Sequence, residues 1–130
     1  MLTPTETLDN LRDSIINAAL KYQDSDVEIR FATTKQVQAL VIALGKIVPE
    51  TKAAKGRALR IALLAEITGR DPRFFRSSKD LTLEEATALI DRIYETTPDD
   101  TASLAFAALR PETISAIQCA YANVKERQHA

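Results

Sequence analysis

Eight basic side chains crowd into one part of the chain: Lys52, Lys55, Arg57, Arg60, Arg70, Arg73, Arg76 and Lys79, with only Glu66 and Asp71 among them. This stretch has a local charge of +6, although the 130-residue chain has a formal net charge of −1. Such asymmetry points to an anionic partner, provided the fold gathers the charges on one exposed face; a solvated helix face that happens to be basic is the plainer alternative. Phe74 and Phe75 stand in the middle of the connector that runs from Arg70 to Asp80. Cations interleaved with an exposed ring suit single-stranded nucleic acid, which sets its phosphates on the cations and a base on the ring. At least one of the two rings should dock on the core, and the other is either docked beside it or exposed. The candidate nucleic-acid contacts are thus Lys52, Lys55, Arg57, Arg70, Arg73, Phe74, Phe75, Arg76 and Lys79, with DNA and RNA equally open.

Catalytic signatures are sparse. The sole histidine, His129, is next to the C-terminus, where a general base would not be held in place. Gly45, Gly56 and Gly69 are isolated, so no phosphate-cradling loop is present. Glu84, Glu85, Asp91 and Glu95 follow the solvent-facing phase of an amphipathic helix, and no ligand spacing for a metal appears. The lone Cys119 excludes an internal disulfide and reads as a buried or half-buried inert thiol. Neither a signal peptide nor an apolar run of membrane-spanning length is evident. A non-enzymatic protein without cofactor or membrane contact, in a reducing cytoplasmic setting, is expected.

The elements that must position these residues read as helices. Thr3-Pro4-Thr5-Glu6 opens the first, with Thr3 as cap and Glu6 completing a capping box; Leu8, Leu11, Ile15, Ala18, Ala19 and Tyr22 form its apolar stripe. Val27 to Phe31 then alternates apolar and polar, a strand-like signal with no second strand to match. The plainer reading is an extended connector that pins Val27, Ile29 and Phe31 into the helical core. The other is an exposed edge that pairs with a copy of itself or with a partner strand. Thr33 to Gln36 makes a second capping box, and Pro49 stops that helix near Val48.

The most apolar stretch follows. Around residues 58–67, Leu59, Ile61, Leu63, Leu64 and Ile67 point in almost every direction at helical spacing, which predicts a buried central helix over about 52–68. Gly56 either sits near a frayed helix end, the simpler case, or admits a close backbone neighbour. Gly69 is placed as a C-cap. Thr82 and Glu85 make a further capping box with Leu81 as its staple. Thr96-Thr97-Pro98 ends that helix, a short Ala-rich helix runs through Leu104, Ala105, Ala108 and Leu109, and Pro111 interrupts it. In the last helix, Glu112 to about Arg127, Ile114, Ile117, Tyr121 and Val124 form a narrow seam suited to one other helix, internal or from a second subunit. The tail 125–130 should fray. The expected fold is all-α, a single-domain bundle of about six helices around a buried central one, with one extended segment at 27–31.

Several of these features occur together in known modules. Ala32-Thr33-Thr34-Lys35-Gln36-Val37, a helix bearing Arg57 and Leu59, Thr68-Gly69-Arg70, and Ser77-Ser78-Lys79-Asp80-Leu81-Thr82 followed by Glu85-Ala86 and Leu89-Ile90 resemble a small helical module. It is found in the C-terminal regions of phage-type single-strand annealing and recombination proteins, and a similar pattern runs through phage Mu-like GemA regulators. The resemblance covers residues 32–95. It implies DNA metabolism on a phage or mobile element and a module that binds nucleic acid or a recombination partner. The Phe74-Phe75 pair and the arginines around it lengthen the connector relative to those modules, and no annealing core is recognisable outside it. Two functions therefore compete. One is a nucleic-acid-binding accessory protein. The other is a protein-interaction module or homo-oligomer, such as a homodimer, that joins through Val27, Ile29 and Phe31 or through Ile114, Ile117, Tyr121 and Val124.

Overall fold

Local capping signals fix most helix starts in the computed structural model, which describes residues 2–20, 30–53, 55–96 and 107–128. Helix α1 spans Pro4–Leu20. The Thr3 hydroxyl accepts the Glu6 N–H at 3.2 Å and donates to the Glu6 carboxylate at 3.1 Å, and Pro4 takes the first helical position, where its missing N–H costs nothing. Helix α2, Thr34–Ile47, carries the full reciprocal box between Thr33 and Gln36. Its chain turns at Val48, because Pro49 cannot continue an α-helix and instead opens a 3₁₀ turn, Pro49–Lys52.

That turn shortens the expected central helix. Lys52, Ala53 and Lys55 are outside α3, which spans Gly56–Thr68. The cause is a close local backbone contact: a Cβ on Gly56 would lie 2.1 Å from the Thr51 carbonyl oxygen, so only glycine lets the 3₁₀ turn fold back on the helix start. Arg60 donates to that same carbonyl at 2.7 Å and fastens the corner. Gly56 is therefore a close-approach glycine and not a residue of a frayed end. At the other end Gly69 adopts φ 73°, and its N–H and that of Arg70 both reach the Ala65 carbonyl, a left-handed cap.

Among the described residues the fold is all-helical, with two further α-helices, α4 (Leu83–Ile93) and α5 (Pro111–Gln128), and a short 3₁₀ turn at Ser78–Asp80. Leu63, Leu64 and Ile67 of α3 are buried, whereas Leu59 and Ile61 are half-buried and Arg57 and Ala58 exposed. The core is shared instead: α1 lies against α3, α4 and α5, and contributes Leu8, Leu11 and Ile15. At these depths each fully buried Leu or Ile is worth roughly 1.5–3 kcal/mol. Ile117 and Val124 of α5 join the same core, so of the two partners open to that seam, internal or a second subunit, these residues meet the internal one, while Ile114 and Tyr121 are half-buried.

Two single antiparallel bridges clamp α4 at its ends. Phe31 pairs with Thr82, through Ala32 N–H to Leu81 O and Leu83 N–H to Arg30 O, both 2.9 Å. Tyr94 pairs with Leu109, through Glu95 N–H to Ala108 O at 3.1 Å and Arg110 N–H to Ile93 O at 2.8 Å. The expected Ala-rich helix through Leu109 is overturned at its end, since Ala107 to Arg110 is non-helical there; its start at 99–106 is outside the described residues. Pro111 does not interrupt a helix but begins α5. Phe31 is 59% exposed, so it is not pinned into the core, and Val27 and Ile29 are outside the described residues.

Candidate nucleic-acid interface

The connector between α3 and α4 is built from its own backbone inward. Asp71 starts a turn: its carbonyl accepts the Phe74 N–H at 3.0 Å and its Oδ1 accepts the Arg73 N–H at 2.9 Å. Asp80 closes the loop by accepting the Arg76 and Ser77 N–H groups at 2.9 and 3.1 Å, and the Ser77 hydroxyl accepts the Lys79 N–H at 3.2 Å. These bonds hold a polar loop in one shape without a sheet or helix to lean on. The adjacent Phe74 and Phe75 must then point apart. Phe75 is 1% exposed and plugs the core, and Phe74 is 76% exposed, more than any other large apolar side chain described.

The arginines divide in the same way. Arg70 turns inward: Nη1 meets Glu85 Oε1 at 2.8 Å, Nη2 reaches the Asp80 carbonyl at 3.4 Å, and the guanidinium lies 5.6 Å from the Phe75 ring centre. Glu85, buried, uses the same oxygen to accept the Thr82 N–H at 2.9 Å, so one carboxylate caps α4 and anchors the connector. Arg73 points outward beside Phe74, 5.7 Å from its ring centre, and grips Asp71 through Nε at 3.2 Å and Nη2 at 2.8 Å. That hydrogen-bonded pairing holds the Asp71 carboxyl below its usual range and lifts the Arg73 guanidinium above its own. Arg76 and Lys79 are exposed and, among the described residues, make no ion pair.

The remaining basic candidates are elsewhere. Lys52, Lys55 and Arg57 gather at the N-terminal end of α3, and the twelve residue steps from Arg57 to Gly69 span about 18 Å at helical rise. No acid in the first turn of α3 offsets these cations at the positive end of the helix dipole. The nine expected contacts thus separate into an exposed connector group of Arg73, Phe74, Arg76 and Lys79, an exposed helix-end group of Lys52, Lys55 and Arg57, and two inward residues, Arg70 and Phe75, that are committed to the scaffold.

The other surface considered, on α5, is also engaged. Ile114 is half-buried, and the Tyr121 hydroxyl donates to the Glu50 carboxylate, which Lys125 meets at 3.0 Å. The hydrogen bond from Tyr121 leads in lowering the Glu50 carboxyl, and Glu50 in turn raises the Tyr121 phenol. Glu66, read only as a stray acid in the basic run, ties three helices: its carboxylate meets Arg12 at 3.2 Å, Arg127, and Asn123 at 3.5 Å, and Arg12 also bonds its backbone carbonyl at 2.8 Å.

Sequence reasoning missed the partners Asp71 and Glu85. The Asp-Pro-Arg order around a turn was the available signal for the first; the second is fifteen residues from Arg70 and had none. Among the described residues no group of three His, Cys, Asp or Glu side chains is placed to hold a metal ion, and no helix is long and apolar enough to cross a membrane. Comparison of the chain with protein-family models, with curated proteins and with solved structures gives no match.

Proposed function

We propose that this protein is a small non-enzymatic accessory factor that binds single-stranded nucleic acid on the α3–α4 connector. Arg73, Arg76 and Lys79 take phosphates, and Phe74 offers its ring to a base. The observation that carries the reading is the projection of Phe74, 76% exposed, from a hydrogen-bonded turn between cations. With little of its surface covered and the Arg73 guanidinium 5.7 Å from its centre, the ring gains little from burial, whereas stacking on a base contributes about 1–3 kcal/mol. Lys52, Lys55 and Arg57 form a second, separate phosphate contact in this reading. The resemblance of residues 32–95 to phage recombination modules and GemA regulators supports extending it to DNA metabolism on a phage or mobile element, in the cytoplasm.

The test is fluorescence anisotropy with labelled single- and double-stranded DNA, and the same sequence as RNA, at low and physiological salt. Binding that weakens with salt, falls in Phe74→Ala and is lost in the Arg73→Glu, Arg76→Glu pair supports it. Absence of binding at low salt removes it. A second reading, self-association or a protein partner, is favoured by the exposure of Phe31 at 59% with Leu20 at 49% and Ile16 at 36%. A solution mass that rises with concentration, and stops rising in Phe31→Ser, would support that alternative.

A further inference from the structure

The connector contains its own anion. Asp71 presents two carboxylate oxygens to the Arg73 fork, Oδ2 at 2.8 Å from Nη2 and both oxygens at 3.2 Å from Nε. A phosphate diester would present two oxygens to the same fork in the same way. Arg76 and Lys79 have no such neighbour among the described residues, so of the three exposed connector cations Arg73 is the occupied one. The occupant is displaceable: the Arg73 side chain is 81% exposed and that of Asp71 38%, and ion pairs this open to water are weak.

We infer that Asp71 is an internal competitor for the phosphate at Arg73, a positioning residue that tunes the affinity of the site. The inference rests on the nucleic-acid reading above. In the free protein Asp71 holds the guanidinium beside the Phe74 ring, where a stacked nucleotide would need it. When a strand binds, its phosphate replaces the carboxylate, and Asp71 is left as an uncompensated negative charge at the contact. Arg73 therefore adds to the orientation of the ligand but little to the net charge neutralised. The strand is held chiefly by Arg76 and Lys79 and is released readily.

Asp71→Asn separates this role from that of a turn former. Its amide oxygen still accepts the Arg73 N–H, while the charge is gone. With a fluorescein-labelled oligothymidine over a salt series, the variant should show a log affinity against log salt slope steeper by about 0.7, the increment for one further phosphate contact on a single strand. At about 0.1 M salt the same increment is a roughly fivefold tighter Kd. Asp71→Glu, which keeps the charge, should retain the wild-type slope. A structural role alone would not change the slope. Equal slopes for wild type and Asp71→Asn, or weaker binding by the variant with an unchanged melting curve, would overturn the inference and leave the binding function intact. Failure of both proteins to bind at low salt would overturn both.

Discussion

Arg70 and Arg73 are three residues apart, equally basic in the sequence, and predicted to fail differently when removed. Consider Arg70→Met, which keeps a flexible apolar stem over Phe75 but deletes the charge. Glu85 is then left as a carboxylate 4% exposed, with the Thr82 N–H at 2.9 Å and no cation. Breaking a fully buried ion pair costs about 3–5 kcal/mol. Here the Arg70 side chain is 37% exposed, so water solvates part of the vacated position and the cost falls to about 1–3 kcal/mol. For a chain of this size that corresponds to a melting temperature lower by roughly 4–12 °C, followed by circular dichroism. Arg70→Met, Glu85→Gln should recover more than half of the loss, because the amide still accepts the Thr82 N–H while no charge is buried. DNA affinity of the folded variant should keep the wild-type salt slope. A variant that melts like wild type and loses one phosphate's worth of slope would refute the assignment of Arg70 to the scaffold.

Two further predictions concern the frame that carries the site. Gly45→Ala and Gly56→Ala should have opposite signs in urea unfolding: at Gly45 the new Cβ meets only the flexible Lys52 stem, 2.8 Å from its Cε, and the helix gains about 0.5–1 kcal/mol, whereas at Gly56 it meets Thr51 backbone and costs about 1–3 kcal/mol. Equal effects would contradict the folded-back corner. Tyr94, whose hydroxyl donates to the Ala39 carbonyl at 2.7 Å in the core, has its phenol raised above the ordinary value near 10 by burial. Its contribution is therefore complete below pH 10 and is lost as pH rises through the folded value, so alkaline unfolding above about pH 10 should be shallower in Tyr94→Phe. The same alkaline profile in both proteins would mean that Tyr94 ionises without unfolding.

What the sequence made legible was local. The Thr33 and Thr82 boxes, the Thr3-Pro4 start, the Pro49 stop and the Gly69 cap each depend on residues no more than four apart, and each stands in the structure where its pattern indicated. What it hid depends on contacts that no pattern of residue types records. Helical spacing ran straight on from Lys52, yet α3 starts only at Gly56, where the Thr51 backbone leaves room for no Cβ, a contact no propensity records. Alanine content argued for helix up to Leu109, yet pairing with Ile93 and Glu95 holds Ala108 and its neighbours extended. The choice between Phe74 and Phe75 was open for the same reason. Either ring could enter the core until the Asp71 turn and the Arg70–Glu85 pair set the direction of the chain.

Charge shows most clearly how the site differs from the run of residues that suggested it. The basic stretch totals +6, but Arg70 and Arg73 are each matched by a carboxylate at 2.8 Å, and these two pairs add nothing to the field at the connector. Arg76 and Lys79 remain there, beside the Asp80 carboxylate that accepts the Arg76 N–H at 2.9 Å, and Lys52, Lys55 and Arg57 remain at the N-terminal end of α3. The rise of α3 from Arg57 to Gly69 is about 18 Å, roughly twice the screening length of about 8 Å at physiological salt. In the proposed nucleic-acid reading, the two ends of that helix would then serve as separate contacts. A short oligonucleotide would meet one or the other, and only a strand long enough to pass from Phe74 to Arg57 would bind both. The first cations of such a strand's path are fixed by the turn at Asp71; the last are set by the corner at Gly56, where the chain folds back to place Lys52 and Lys55 beside the start of α3.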